Sequence, residues 1–267
     1  MSQDLRPILA GWDFDPEGVQ VRMITGEDGS EKLQMRIDLG LIQMELDGRP
    51  DGERPQGFES WLDLYQARAR DAAAAGESFA LSPQDCALLM REGIQYYHRY
   101  LAAFHLERYD LVARDTARNL ELFAFVTRCA ARPRDKLEFD RYRPYVQMMH
   151  ARARASQALL REDFQAALAQ IDEGTEAIRR FLTEYHQEDR ESECSELQFL
   201  LRWRREIEAR RPVGPVERLE QQLEVAITLE DYEEAARIRD QIRRLRAGAS
   251  PPAGGDSPTK HRRLGSP

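Results

Sequence analysis

The spacing of apolar residues changes period near residue 57, and that change divides the chain. Before it the pattern alternates. Val19, Val21 and Met23 fall on one face with Gln20 and Arg22 on the other. The alternation resumes with Leu33, Met35, Ile37 and Leu39 against Gln34, Arg36 and Asp38. Period two over these lengths predicts half-buried strands. Gly26-Glu-Asp-Gly29 between the two runs is hairpin-turn chemistry. At Gly40 the phase slips by one residue, after which Ile42, Met44 and Leu46 are apolar and Gln43 and Glu45 polar. Either a β-bulge or a tight turn into a third strand produces such a slip. Residues 1–57 are therefore expected to hold an antiparallel hairpin or three-stranded meander, closed by the Pro/Gly-rich stretch 48–57. A sheet this small is marginal alone, so its apolar face must lie on the following helices or on a partner.

From Phe58 to Arg211 the period is helical throughout. Phe58, Trp61, Leu62 and Tyr65 share one face, and an alanine run ends at Gly76. Ser82 is an N-cap, Pro83 occupies the first helical position and Asp85 sits where a capping-box acid belongs. That helix is expected to reach about His105. A second runs from Tyr109 to Ala131, with Pro133 closing the region. Further helices are expected over 138–160, 163–187 and 190–210, the last ending at Pro212. An echo runs through them. Glu107-Arg-Tyr109, Glu162-Asp-Phe164 and Glu230-Asp-Tyr232 each place an acid, then an aromatic two residues on, before small or aliphatic residues that open a helix. Around the second, Ala151, Ala155 and Ala158 precede the turn and Phe164, Ala167 and Ile171 follow it. The aromatic would plug the gap between two antiparallel helices whose small residues let the backbones approach. Such hairpins are tetratricopeptide-like, although a generic antiparallel bundle gives the same pattern. The predicted fold is mainly α, with a small N-terminal β meander. Stacked helix pairs tend to present an elongated groove to a peptide or helix.

The last patterned stretch is 216–246. Leu219, Leu223 and Ile227 form one apolar stripe, Leu229-Glu-Asp-Tyr-Glu-Glu makes a turn, and Ala235, Ile238, Ile242 and Leu245 form a second stripe. A hairpin this short is expected to be unable to bury both stripes within itself. Leu219-Glu220, Leu223, Ala226, Glu230-Asp231-Tyr232-Glu233, Ala235-Ala236 and Ile238-Arg239-Asp240-Gln241-Ile242 together resemble the UVR motif of the UvrB and UvrC subunits of the bacterial excision-repair nuclease. The resemblance implies a protein–protein module, in which two hairpins associate head to head into a small four-helix bundle. It also occurs in the activator of the bacterial protein-arginine kinase and in some Clp-type chaperones. It implies that Leu219, Leu223, Ile227, Tyr232, Ala235, Ile238, Ile242 and Leu245 carry the contact, with Arg239 and Asp240 setting polar register. The partner is then a protein with a UVR-type hairpin, or a second copy of this chain. Nothing in residues 1–210 resembles the helicase motifs of UvrB or the nuclease domain of UvrC, and the CxxC zinc sites of the kinase activator are missing. Residues 247–267 are Gly/Pro/Ser-rich and are expected to be a disordered tail.

Composition narrows the function classes. The net charge of −8 provides no global basic field for nucleic acid or an anionic membrane. Only three lysines occur, so arginine carries the positive charge, as high-GC codon usage would also produce. Cys86, Cys129 and Cys194 are far apart with no CxxC, and no secretory leader or membrane-length apolar run is present, so a cytoplasmic protein with reduced thiols is expected. His98 and His105 share a helix without further ligands at metal spacing, and His150, His186 and His261 are isolated. No GxSxG, GxxxxGK[ST] or GxGxxG occurs, so no catalytic residue, cofactor or metal is expected. Arg202, Arg204, Arg205, Arg210 and Arg211 surround Trp203, and Lys260-His-Arg-Arg263 lies in the tail. A basic face with an aromatic suits phosphates and a stacked base. Interleaved Glu206 and Glu208 make ion pairing the favoured reading. The expected function is that of a non-enzymatic bacterial adaptor or regulator. A DNA-repair accessory and a regulator of a stress-response kinase or Clp-type protease are the alternatives.

Overall fold

The computed structural model describes residues 4–212 and 214–248. They form two compact units that divide between Ala209 and Arg210. The chain is mainly helical, with a three-stranded antiparallel sheet near the N-terminus.

The first unit opens with a short helix α1 (Arg6–Leu9) and strands β1 (Val21–Thr25), β2 (Glu31–Ile37) and β3 (Gly40–Glu45), paired in that order. The phase slip at Gly40 is a tight turn, not a bulge. Ile37 pairs with Gly40, leaving Asp38 and Leu39 as the loop. Leu39, read as part of the strand's apolar face, is instead 88% exposed at that loop. The slip is what register requires. A two-residue turn pairs Leu33 with Met44 and Met35 with Ile42, while β1 brings Met23 to Leu33 and Val21 to Met35. All six apolar side chains thus share one face. That face joins a core with Tyr100, Ala103, Val112 and Met149 of the helices. On the other face Arg22 donates to Gln34 (2.8 Å) and Gln34 to Gln43 (2.9 Å). Trp12 lies under the Arg22 guanidinium, 4.0 Å away, so the N-terminal segment covers this side and Gln34 is buried.

The helices are α2 (Trp61–Ala74), α3 (Pro83–His105), α4 (Tyr109–Cys129), α5 (Pro133–Asp140), α6 (Arg143–Leu159), α7 (Phe164–Glu184) and α8 (Ser195–Arg210). Ser82 and Asp85 form the reciprocal capping box at the start of α3. Pro133 opens a helix instead of closing a region. It is the first residue of α5, where its missing N–H and fixed φ are harmless. The helix expected over 138–160 therefore becomes two, and a 3-10 turn at Glu188–Glu193 delays α8 to Ser195. Helices α3 and α4, α4 and α6, and α6 and α7 pack in succession. Ala151, Ala155, Ala158, Ala167 and Ile171 are all buried between α6 and α7. At Gly174 an added Cβ would run into Ala151, so this crossing needs a residue with no side chain.

Where the sheet, α2, α3 and α4 meet, the core holds charge. Arg99 and Asp115, each 1% exposed, form a bidentate pair at 2.6 and 2.9 Å, and Arg99 also donates to the Glu45 and Gly48 carbonyls. Buried Glu92 pairs with Arg118 and accepts from the Trp61 and Leu62 amides, at 2.8 and 3.2 Å. These are the first two N–H groups of α2, otherwise without helical partners, so Glu92 caps that helix from another one.

The second unit holds α9 (Pro215–Thr228) and α10 (Tyr232–Gly248). Ala247 and Gly248, expected to open the tail, continue α10 instead. Residues 249–267, with Lys260–Arg263 and His261, lie outside the described residues, as does Val213 in the expected 212–215 linker.

Candidate functional site

The candidate site is the α9–α10 hairpin, and its turn is built like others in the chain. Glu230 has φ +58, the left-handed conformation. The Asp231 amide donates to the Ala226 carbonyl at 2.9 Å and the Glu230 amide to Ile227 at 3.0 Å. This is the Schellman arrangement, which satisfies the last carbonyls of a helix. The same bond pair follows α2 at Gly76, α3 at Glu107, α6 at Glu162 and α7 at His186, all with positive φ. The echoed acids at 107, 162 and 230 are therefore left-handed turn residues, and the aromatics Tyr109, Phe164 and Tyr232 are the first residues of the next helices. Asp163 and Asp231 complete the likeness. Each caps its helix by accepting from the third amide, Ala166 at 2.9 Å and Glu234 at 3.1 Å.

The two stripes of the hairpin face each other. Ala226, Ala235, Ile238 and Ile242 are buried, with Val216, Leu219 and Leu223 half-buried against them. As expected, the hairpin does not bury both stripes within itself, since Leu219 and Leu223 are only half-buried and Ile227 and Leu245 are exposed, but it does enclose most of the second. Small residues at 226 and 235 let the helices approach closely enough for Ile238 and Ile242 to be enclosed by this hairpin alone. Ala235, Ile238 and Ile242 consequently form its core and are not a free contact surface. The exposed apolar set lies elsewhere. Leu229 is 73% and Tyr232 70% exposed at the turn, with Val225, Ile227 and Leu245 also open to solvent. Val225 and Leu229, beside Gln222 and Glu234, line a shallow cleft along the hairpin. The stripe Leu219, Leu223 and Ile227 passes by Val225, and Leu229 reads only as part of the turn. The signal present was a branched apolar residue off the stripe next to an acid-rich turn.

Charge is divided along the hairpin. Residues 224–236 carry five carboxylates (Glu224, Glu230, Asp231, Glu233 and Glu234) and no base, whereas 237–246 carry five arginines and one aspartate. Glu233 and Glu234 occupy the first turn of α10, where the helix dipole favours acids. Arg237 pairs with both, at 3.0 and 3.3 Å, and Arg246 pairs with Glu220. Asp240 reaches Arg243 at 3.8 Å, while Arg239 is exposed and has no ion pair among the described residues.

The arginines considered for nucleic acid lie on α8 and just after it. Arg202, Arg204 and Arg205 belong to the first unit and Arg210 and Arg211 to the second. Arg204 is held by Asp172 at 2.6 Å and Glu208 at 2.7 Å, and Arg211 pairs with Glu217. Arg202 lies over Phe199, and Trp203 packs against the core, so it is not an open stacking platform. His98 and His150 are half-buried, and burial pushes both imidazoles below their ordinary range, keeping them neutral at pH 7. His150 Nδ1 lies 2.9 Å from Thr116 Oγ1. The Cys86 thiol is pushed up to about 11 by burial, the state of an inert core cysteine. Among the described residues no cluster of three or more His, Cys, Asp or Glu could hold a metal, and no helix is long and apolar enough to cross a membrane.

Residues 215–248 match the sequence profile of the UvrB/uvrC motif, a motif of protein and DNA interaction. Those bounds coincide with the two helices α9 and α10. No curated protein and no solved structure matches the chain.

Proposed function

We propose that this chain is a non-enzymatic adaptor or regulator that binds a partner protein through the tip of the α9–α10 hairpin. The observation that carries the reading is the exposure of Leu229 and Tyr232 at the turn of a hairpin whose own core is already closed. Exposed aromatics and leucines beside a polar rim are the composition of a protein contact. Electrostatics describes the partner. Five carboxylates lie around these side chains in 224–236, and only Glu233 and Glu234 pair with the neighbouring Arg237. Two copies meeting tip to tip would repel, so the partner is a helical hairpin that brings basic residues to the acidic end. Self-association is then restricted to an antiparallel arrangement, the arginines of 237–246 lying along the acids of the other copy.

The residues to test are those at the surface. Ile238→Asp would break the hairpin's own core and report on folding only. Leu229→Ser with Tyr232→Ser removes the exposed apolar surface and leaves the buried cluster untouched. Affinity purification with mass spectrometry, alongside light scattering, should show a partner retained by the wild type and lost from the double variant, with helical content unchanged. Identical partner sets and identical molar mass for the two proteins would sink the proposal.

A further inference from the structure

Half-buried Arg152 on α6 has no ion pair among the described residues. The other buried or half-buried arginines on α3 to α8 are each held by a carboxylate: Arg99 by Asp115, Arg118 by Glu92, Arg143 by Asp140, Arg154 by Glu173, Arg179 by Glu191 and Arg204 by Asp172. The Arg152 guanidinium lies over two rings instead, 4.4 Å from the centre of Phe104 on α3 and 4.6 Å from that of Phe199 on α8. The rings hold the group in place but offer no oxygen to accept from it. Its Nη1 donates to Met149 Sδ at 3.5 Å, a weak acceptor. Its Nε and Nη2 have no hydrogen-bond partner among the described residues, and neither is sealed from solvent. These two atoms form the edge that Arg99 turns to Asp115 and that Arg204 turns to Asp172. Burial pushes the Arg152 guanidinium below its ordinary value, with Tyr145 and Tyr109 acting the other way. A half-buried charge without a counter-charge is costly, and an arriving carboxylate offsets that cost.

We infer that Arg152 anchors a binding site shared by α3, α6 and α8 that takes a carboxylate joined to a flat apolar group. The Nε and Nη2 edge matches the two oxygens of a carboxylate as a parallel pair of hydrogen bonds. The apolar part of the ligand has rings to meet. Tyr109 flanks Phe104 with centroids 5.5 Å apart, and Trp203 flanks Phe199 at 6.2 Å. All four rings are half-buried, so each keeps some open surface for contact. Arg202 is exposed, has no ion pair among the described residues and lies 5.9 Å from the centre of Phe199, which adds positive charge at the rim. The site rests on residues of the first unit alone, so it stands or falls independently of partner binding by the hairpin.

The test uses the full chain with benzoate and benzamide, which share a shape and differ in charge. Titration calorimetry or ligand-observed NMR should give saturable binding of benzoate in the millimolar range or tighter. Benzamide should bind at least about tenfold more weakly, the factor expected when a hydrogen bond to a charged group is lost. Arg152→Met keeps a long side chain between the two rings, so it should keep the wild-type circular dichroism and lose benzoate binding. Arg152→Lys keeps the charge without the two-pronged edge and should weaken benzoate by about tenfold. A blocked tripeptide of glutamate between two phenylalanines, compared with its glutamine counterpart, distinguishes the source of the carboxylate. Tighter binding of the glutamate peptide than of benzoate assigns the ligand to a protein segment, and the reverse assigns it to a small molecule. The inference is overturned by any of three results: no saturable binding of either carboxylate, equal affinity for benzoate and benzamide, or unchanged benzoate binding in either Arg152 variant.

Discussion

The α6–α7 and α9–α10 hairpins share one turn and differ in what surrounds it. Both end the first helix with a left-handed glutamate, cap the second with an aspartate, and open it with an aromatic ring. In the first unit, α6 packs on α4 as well as on α7, and Phe164 joins a cluster that includes Leu197 and Leu200 of α8. In the second unit the cluster draws on α9 and α10 alone, and Tyr232 stands in solvent. A turn motif therefore specifies how two helices reverse and says nothing about what covers them. An aromatic at the same position is core where neighbouring helices supply a wall and a surface feature where they do not. That difference is the physical basis for reading the second hairpin as a binding element.

The two regions differ most in what their interiors can hold. The first unit is large enough to bury Glu92, Arg99 and Asp115 with their partners, whereas the closed core of the hairpin contains only alanine and isoleucine. Arg99→Leu should accordingly produce the largest effect, destabilising the first unit by about 3–5 kcal/mol, because Asp115 is left buried without its bidentate cation. Urea unfolding followed by circular dichroism checks this. A loss below about 1 kcal/mol would mean that water reaches Asp115 and that this interior is less closed than its burial implies. Replacing Arg99 and Asp115 together with apolar residues should recover much of the loss, since an ion pair of this kind is weak support for stability once both charges are gone.

Much of this architecture was legible in the chain. Alternation located the sheet, and the capping box at Ser82 and Asp85 located the start of α3. The acid–aromatic echo located three hairpin turns before their left-handed geometry was known. What was not legible depends on surroundings. Pro133 reads equally as a stop or as the first residue of a helix, and only the position of α5 decides. The same apolar stripes at 219–227 and 235–245 are compatible with a sticky hairpin or a closed one. The small residues Ala226 and Ala235 decide that through helix separation, which periodicity does not encode. The buried charges had a faint signature. Glu92 and Arg99 are i, i+7 on the helix that carries Leu89, Tyr96 and Tyr100, but charged residues near an apolar stripe usually reach solvent. The cluster of Tyr97, Tyr100, Phe123, Phe139, Tyr142 and Tyr145 had none, because its rings come from four helices and the turn between α5 and α6 and are brought together only by the fold.

The comparison of aromatics gives a smaller and more discriminating effect. Phe164→Ala should cost about 1–2 kcal/mol, less than a fully buried phenylalanine because the ring is only half enclosed. Tyr232→Ala should stay within about 0.5 kcal/mol, as exposed side chains do. Hydrogen exchange of peptides from each hairpin reports the two locally. A comparable loss at Tyr232 would show that its ring is covered in solution, and the exposed tip could then not be the binding surface.

The smallest effect tests whether the two turns are the same object. Glu162 and Glu230 have φ of +57 and +58, a conformation that costs a residue with a side chain about 1–2 kcal/mol and glycine almost nothing. Glycine also gives the unfolded chain more freedom, which offsets about 0.4–1 kcal/mol of that relief. Glu162→Gly and Glu230→Gly should therefore each stabilise their own hairpin by about 0.5 kcal/mol, and by the same amount, because the strain is local and does not depend on what covers the turn. Gly76, already at φ +74 after α2, shows the chain using the residue that this geometry favours. Equal gains in local exchange protection would confirm that one backbone device serves both hairpins. If Glu230→Gly instead weakened protection while Glu162→Gly strengthened it, the glutamate at the exposed tip would be stabilising its turn through its side chain. The likeness between the hairpins would then end at the backbone.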